Sequence, residues 1–299
     1  CRRNFTECRY SLRMEKDIFR EMFGFAGWNF LTTCASMLST QGVSILLNMQ
    51  FGPVINASRG VASQINGTVG AFHRNFTTAL NPQITKTYAA EDFEYVKRLV
   101  CKGAKFSYLA FFFIALPCMI EVNFFLSVWL KEVPAYAGIF VQLTLLNSLV
   151  EVLLNSSETL NRATGKIRNF QLLVSSAQFA ILIASYIALK ITANPILVVS
   201  MANIIYLLIF VPRILVNKPY VGMTFGYYYK EVLQGIIMMS VISAALSLLP
   251  FMFMSDGWMR LVTVGVVSSI SIIITSAIFV LTKGERDMVV RFVKNKLKR

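Results

Sequence analysis

The chain has 299 residues, of which 56% are hydrophobic and only 15% charged, and it carries a net charge of +14. A soluble domain averages about 25% charged residues, so the composition excludes an ordinary soluble fold and predicts an all-α, polytopic membrane protein. The surplus of Lys and Arg would suggest nucleic acid in a soluble chain, but here it follows the pattern of membrane topology, and no nucleic-acid partner is expected.

Eight stretches reach membrane length, about 20 residues. They fall near 24–49, 61–81, 106–128, 137–159, 170–190, 195–216, 232–253 and 259–281. Basic residues alternate between the connections. The first segment holds Arg2, Arg3, Arg9, Arg13, Lys16 and Arg20, and the next connection only Arg59. The alternation continues to the tail, and about 24 of the 29 basic residues fall on one side. The positive-inside rule then places both termini of this chain in the cytoplasm.

The run from Gln41 to Asn81 is the most informative. It is apolar enough for a bilayer yet rich in Asn, Gln, Ser and Thr, and it holds Arg59, His73 and Arg74. A cation at membrane depth costs several kcal/mol unless it meets a partner or water. At about 100° per residue, Arg59, Ser63, Asn66, Gly70, Arg74, Thr77 and Asn81 share one face, with His73 at its edge. Val61, Ile65, Val69, Phe72, Phe76 and Leu80 form a separate apolar stripe, expected to face lipid. Arg59, Gln64, Asn66, His73 and Arg74 are therefore candidate substrate-binding residues of a cationic cavity. Snorkelling of Arg74 to the nearer interface is the bland alternative. Phe51-Gly52-Pro53 should break the chain between the first two spans.

Residues 89–105 are charged with helical spacing, which predicts an interfacial helix ahead of the third span. Pro117 should kink that span, and Glu121 follows in its outer part. The fourth span aligns Asn147, Glu151, Asn155, Glu158 and Arg162 on one face. Glu158 and Arg162 read as a helix-end ion pair. Glu151 is deeper, and two readings stay open: a site for a coupling ion, H+ or Na+, or a structural partner of Arg74. Asp256 and Arg260 read as solvated residues of an outer turn. The segment from Glu285 to Arg299 reads as a basic amphipathic helix anchored to anionic lipid.

Enzymatic signals are poor. The only histidine is His73, and no zinc-protease, nucleophile-elbow or phosphate-loop motif occurs. The five cysteines lack metal-ligand spacing, and no disulfide, metal or cofactor is expected.

With these spans in view the chain resembles the polysaccharide-transport flippases. This is the O-antigen, or lipid-linked oligosaccharide, branch of the multidrug/oligosaccharidyl-lipid/polysaccharide superfamily. The resemblance rests on GWNF at 27–30, QGVSILLN at 41–48, FGPVINASRGVASQ at 51–64, NFTTALNPQITKTYA at 75–89 and ATGKI at 163–167. It implies the second six-helix bundle of a MATE-like fold plus two extra C-terminal helices. The chain would then divide into a basic cytoplasmic segment (1–23), the bundle (24–216), the two extra helices (217–281) and a basic tail (282–299). A first, N-terminal bundle would be missing. The implied activity is export of an undecaprenyl-pyrophosphate-linked oligosaccharide across the bacterial inner membrane by alternating access, coupled to an ion and without ATP. The competing functions are a multidrug or cation antiporter of the same superfamily and a membrane glycan polymerase or ligase.

Overall fold

The computed structural model describes residues 16–287, and they form an all-α protein. The expected lipid-anchoring helix of the tail lies mostly outside the described residues, as do Cys1 and Cys8. Twelve α-helices follow in chain order: α1 Lys16–Phe51, α2 Pro53–Ala89, α3 Phe93–Ile120, α4 Val122–Trp129, α5 Ala137–Ala163 and α6 Arg168–Thr192. Then come α7 Pro195–Leu208, α8 Phe210–Leu215, α9 Lys218–Val221, α10 Phe225–Tyr228, α11 Gln234–Phe253 and α12 Trp258–Thr275. Single π-helical turns, Tyr229–Leu233 and Ser276–Val280, adjoin α11 and α12.

Among the described residues seven helical stretches are long and apolar enough to cross a membrane, so the protein is a multi-pass membrane protein. The sequence predicts eight. The one that falls short is α2, which at 37 residues is long enough but too polar. Only Gly52 joins it to α1, and Ala90 to Asp92 join it to α3, so α2 runs beside its neighbours through the same depth.

The breaks have local causes. Gly52 adopts φ 78°, a left-handed conformation that glycine tolerates, and Pro53 opens α2 with its preset φ. Pro117 cannot donate a backbone hydrogen bond, and α3 stops four residues later at Glu121, beyond which α4 continues the span. Asn194 caps α7 by accepting from the Ile196 amide at 2.9 Å, with Pro195 as the first helical residue.

The segment expected to lie flat at the interface does not form a separate element. α3 is continuous from Phe93 through the span, and Val96, Val100, Cys101 and Ala104 are buried. Its apolar stripe packs against protein rather than lipid.

The helix α5 is the central post of the bundle, packed against α2, α3, α7 and α8. Helix α1 lies along α6 and is clasped to it by polar groups. Thr32 Oγ1 donates to Gln171 Oε1 at 2.8 Å, and Gln171 Nε2 donates to Asn29 Oδ1 at 2.9 Å. Helices α11 and α12 form a hairpin docked on α3. Two glycines allow the closest approaches. A Cβ on Gly103 would lie 2.2 Å from Ser156 Oγ and 2.3 Å from Leu80 Cδ2, where α2, α3 and α5 meet. A Cβ on Gly235 would lie 2.2 Å from the Phe279 carbonyl oxygen, which lets the hairpin close.

Candidate functional site: a polar wall and an inner cavity

Most of the outer surface is what lipid requires. Helix α12 presents Val262, Val266, Ile270, Ile273 and Ile274, and α11 presents Ile237, Val241 and Leu249. Helix α2 does the opposite. Its exposed arc carries Gly60, Gln64, Gly67, Thr68, Ala71, Arg74, Asn75 and Thr78. The only large apolar side chains it exposes are Val54 and Phe72. Polar groups facing hydrocarbon cost several kcal/mol each, so this arc is a wall that meets water, ligand or protein.

Most of the apolar stripe expected to face lipid turns inward instead: Val61, Phe76 and Leu80 are half-buried, and only Phe72 stays exposed. Ile65 and Val69 are buried in the core. This is a correction with a simple cause. Helix α2 lies within the bundle, so its hydrophobic side packs on α3 and α5, and the remaining side is left without a protein neighbour.

The predicted polar face splits along its length. Periodicity fixes which residues share a face, but not what that face meets at each depth. Near the start of α2, Arg59, Ser63 and Asn66 border a half-open cavity of about 340 Å³ between α1, α2, α5, α6 and α7. Near its end, the face ties helices together. Thr77 Oγ1 lies 3.4 Å from Ser107 Oγ of α3, and Asn81 Oδ1 accepts from Thr159 Oγ1 of α5 at 2.9 Å. Arg74 lies between these regions and is exposed.

Arg74 does not reach for the nearer membrane surface. It folds back along α2 and donates from Nη2 to the Gly67 carbonyl oxygen at 2.8 Å. Gly70 makes room for it, since a Cβ there would lie 2.7 Å from Arg74 Nη1. The guanidinium is held on the wall, with no carboxylate within 4 Å among the described residues.

The other predicted residues separate. Arg59 donates from Nη1 to Ser44 Oγ of α1 at 2.7 Å. Arg59 and Arg74 are fifteen residues apart along α2, roughly 22 Å at helical rise, so one phosphate group cannot meet both. Gln64 faces the other way, onto an apolar groove lined by Thr68, Pro117, Phe125 and Leu261. His73 is on neither surface. It is buried with its ring edge-on to Phe111 of α3, at 5.6 Å between centroids.

Glu151 also finds a different partner. The expected candidate was Arg74, but Glu151 Oε1 accepts from Arg213 Nη1 of α8. Arg213 is 1% exposed, and its Nη2 lies 3.7 Å from Glu158 Oε2. Glu158 in turn accepts from Arg162 Nη2 at 2.8 Å, the helix-end pair that the spacing predicts. Glu151 is thus one member of a four-residue charge network that ties α5 to α8. One turn above it on α5, Asn147 borders the inner cavity, whose lining also includes Tyr206 and Gln178, joined at 2.6 Å.

At the turn between α11 and α12, Arg260 corrects a further expectation. It is 6% exposed rather than solvated. Its Nε and Nη2 grip the two oxygens of Glu121 at 2.8 and 2.9 Å, and its Nη1 reaches Asp256. This two-pronged pair bolts α12 to the break after α3. Glu121 is 1% exposed, its carboxylate taken up by this pair.

Sequence reasoning missed Arg213 and Ser44 as partners. Arg213 follows Pro212 at the end of a span, where a basic residue reads as a boundary marker. Only a pairing of Glu151 with a cation more distant in sequence could have found it. No group of three or more His, Cys, Asp or Glu able to hold a metal ion occurs among the described residues.

No protein-family model, curated protein or solved structure matches the chain.

Proposed function

We propose that the chain forms half of a flippase that moves an undecaprenyl-pyrophosphate-linked oligosaccharide from the inner to the outer leaflet of a bacterial cytoplasmic membrane. The observation that carries this reading is the exposed polar arc of α2 with Arg74 held on it without a carboxylate. A cargo that draws sugars and pyrophosphate through a bilayer needs a surface of this kind. Hydroxyl and amide groups exchange hydrogen bonds with the glycan, and an unpaired guanidinium offsets phosphate charge where the dielectric is low.

In this reading α2 crosses the membrane with the seven apolar stretches and completes eight. The wall then needs an opposite wall, and a first six-helix bundle facing α1 and α2 supplies it, in the two-lobed MATE-like arrangement that the sequence resemblance implies. Rocking of the two lobes would expose the wall to each side in turn. Both ends of the chain lie in the cytoplasm, where the basic connections meet anionic lipid. Ion exchange drives the cycle. Glu151 enters that step only if the Arg213 pair opens, so its first role is to hold α5 and α8 together.

A drug or cation antiporter fits less well, because the exposed arc of α2 carries Arg74 and no carboxylate. A gain in dye resistance on expression would favour the antiporter. Elongation of glycans by purified protein would favour a polymerase or ligase. The direct test is Arg74→Ala in the intact protein. Surface polysaccharide should fall at unchanged protein level, and normal export would contradict the assignment.

A further inference from the structure

Beside the wall lies the half-open polar cavity between α1, α2, α5, α6 and α7. Among the described residues Arg59 is the only charged side chain that borders it. The fully buried Lys and Arg side chains among the described residues have carboxylates: Lys105 meets Glu285, Arg213 meets Glu151, and Arg260 meets Glu121. Arg59 has none within 4 Å among the described residues, and it uses only Nη1 on a side-chain acceptor, Ser44 Oγ. A guanidinium at membrane depth costs several kcal/mol unless it meets water or a counter-charge, and this one opens onto the cavity, where either can reach it.

The rest of the lining is neutral and rich in hydrogen-bonding groups, among them Ser63, Asn66, Thr144, Asn147 and Asn203. The side-chain oxygens of Asn66 and Asn203 are buried with no hydrogen-bond partner. An amide can be turned end for end, so each of these residues can offer either an N–H or an oxygen to an occupant. No carboxylate lines the space, and Arg59 repels a metal cation. The arrangement therefore lacks one negative charge surrounded by neutral dipoles.

We infer that this cavity is a binding site for a single monovalent anion, held by Arg59 and hydrogen-bonded by the surrounding amides and hydroxyls. One guanidinium balances one charge, which selects a monoanion over a dianion. At about 340 Å³ the space exceeds a bare halide, so a halide enters with water, each molecule taking about 30 Å³. A carboxylate on a sugar ring fits the same groups directly, with its hydroxyls meeting the unpaired amide oxygens. The shared chemistry is the single negative charge. The halide source is independent of the transport reading, and only the sugar source rests on it.

The test uses the purified full chain in detergent, buffered without halide. Its apparent melting temperature is followed as sodium chloride, sodium glucuronate or, at matched ionic strength, sodium sulfate is added. Chloride or glucuronate should give a saturable rise that sulfate does not match. A rise with chloride identifies a free-anion site, and a rise with glucuronate alone identifies an acidic-sugar subsite. Arg59→Gln should weaken the apparent Kd at least about tenfold, whereas Arg59→Lys should retain part of the affinity and the exposed Lys131→Gln all of it. If Arg59→Gln does not fold, the double variant Asn66→Leu with Asn203→Leu carries the test, and its affinity should fall. No saturable rise in the wild-type chain overturns the site. So does an affinity that falls equally with Lys131→Gln, or one indifferent to both Arg59→Gln and the asparagine pair. Because binding is read on purified protein, a failed export test leaves this result standing, and the reverse.

Discussion

Helices α2 and α12 occupy the same protein and treat their surroundings in opposite ways. Helix α12 turns Val262, Val266, Ile270 and Ile273 outward and tucks Ser268, Ser271 and Thr275 inward. Helix α2 buries Ile65 and Val69 and turns Gln64, Thr68, Arg74 and Thr78 outward. The first is the surface of a helix in lipid and the second that of a helix beside water. Charge follows the same division. Arg260 of α12 is locked to Glu121 and Arg213 of α8 to Glu151, while Arg59 and Arg74 of α2 have no acid. Paired cations hold this protein together, and unpaired ones are available to a ligand.

That contrast can be broken most severely at the paired side. Arg213→Ala leaves the half-buried Glu151 without its counter-charge; removal of one partner costs about 3–5 kcal/mol where both are buried, and less here because water reaches Glu151. The variant should show a large fall in apparent melting temperature or fail to accumulate in the membrane. Replacing both partners together, Glu151→Gln with Arg213→Met, should recover most of the loss. Equal loss in the single and double variants would mean that the network does more than tie α5 to α8.

A smaller but clear loss is expected where α2 joins the rest of the bundle. Gly103→Val would push side-chain atoms into Ser156 and Leu80, and overpacking of this kind costs about 1–3 kcal/mol. The same thermal assay should register it, and a variant as stable as wild type would show that α2 and α3 can slide apart. At the unpaired side the effect on stability should nearly vanish. Arg74→Ala removes an exposed side chain bonded only to a backbone carbonyl, so its melting temperature should stay near the wild-type value, a change of about 0.5 kcal/mol or less. Transport should fall all the same, and the separation of these two readouts distinguishes a ligand contact from a structural one.

Much of the architecture was legible in the sequence because its signals are local. Span lengths, the Phe51-Gly52-Pro53 break, the stop after Pro117 and the Glu158–Arg162 pair all depend on residues a few positions apart. The failures share the opposite property. Glu121 and Arg260 are 139 residues apart, and Arg260 beside Asp256 looks like a solvated helix-start pair until α12 is seen to dock on α3. Residues 93–105 are amphipathic, as expected, but amphipathicity does not say whether the apolar side meets lipid or protein. The same ambiguity reversed the stripe of α2. For the candidate site, the sequence marked α2 and its two arginines as unusual. It could not show that Arg59 and Arg74 serve different spaces, because a helical wheel discards depth. His73 was misplaced for a related reason: the edge of a polar face on a wheel is also the edge of the buried one.

The central claim is that the outward arc of α2 meets water rather than lipid. The most direct measurement is thiol accessibility in native membranes. Single cysteines are placed in a cysteine-free chain at Ala71, Asn75 and Thr78 of α2 and at Val266 and Ile270 of α12, then exposed to a hydrophilic thiol reagent. A thiol ionises and reacts in water but not in hydrocarbon. The α2 positions should react at least about tenfold faster than the α12 positions. Equal protection of the two sets would contradict the account.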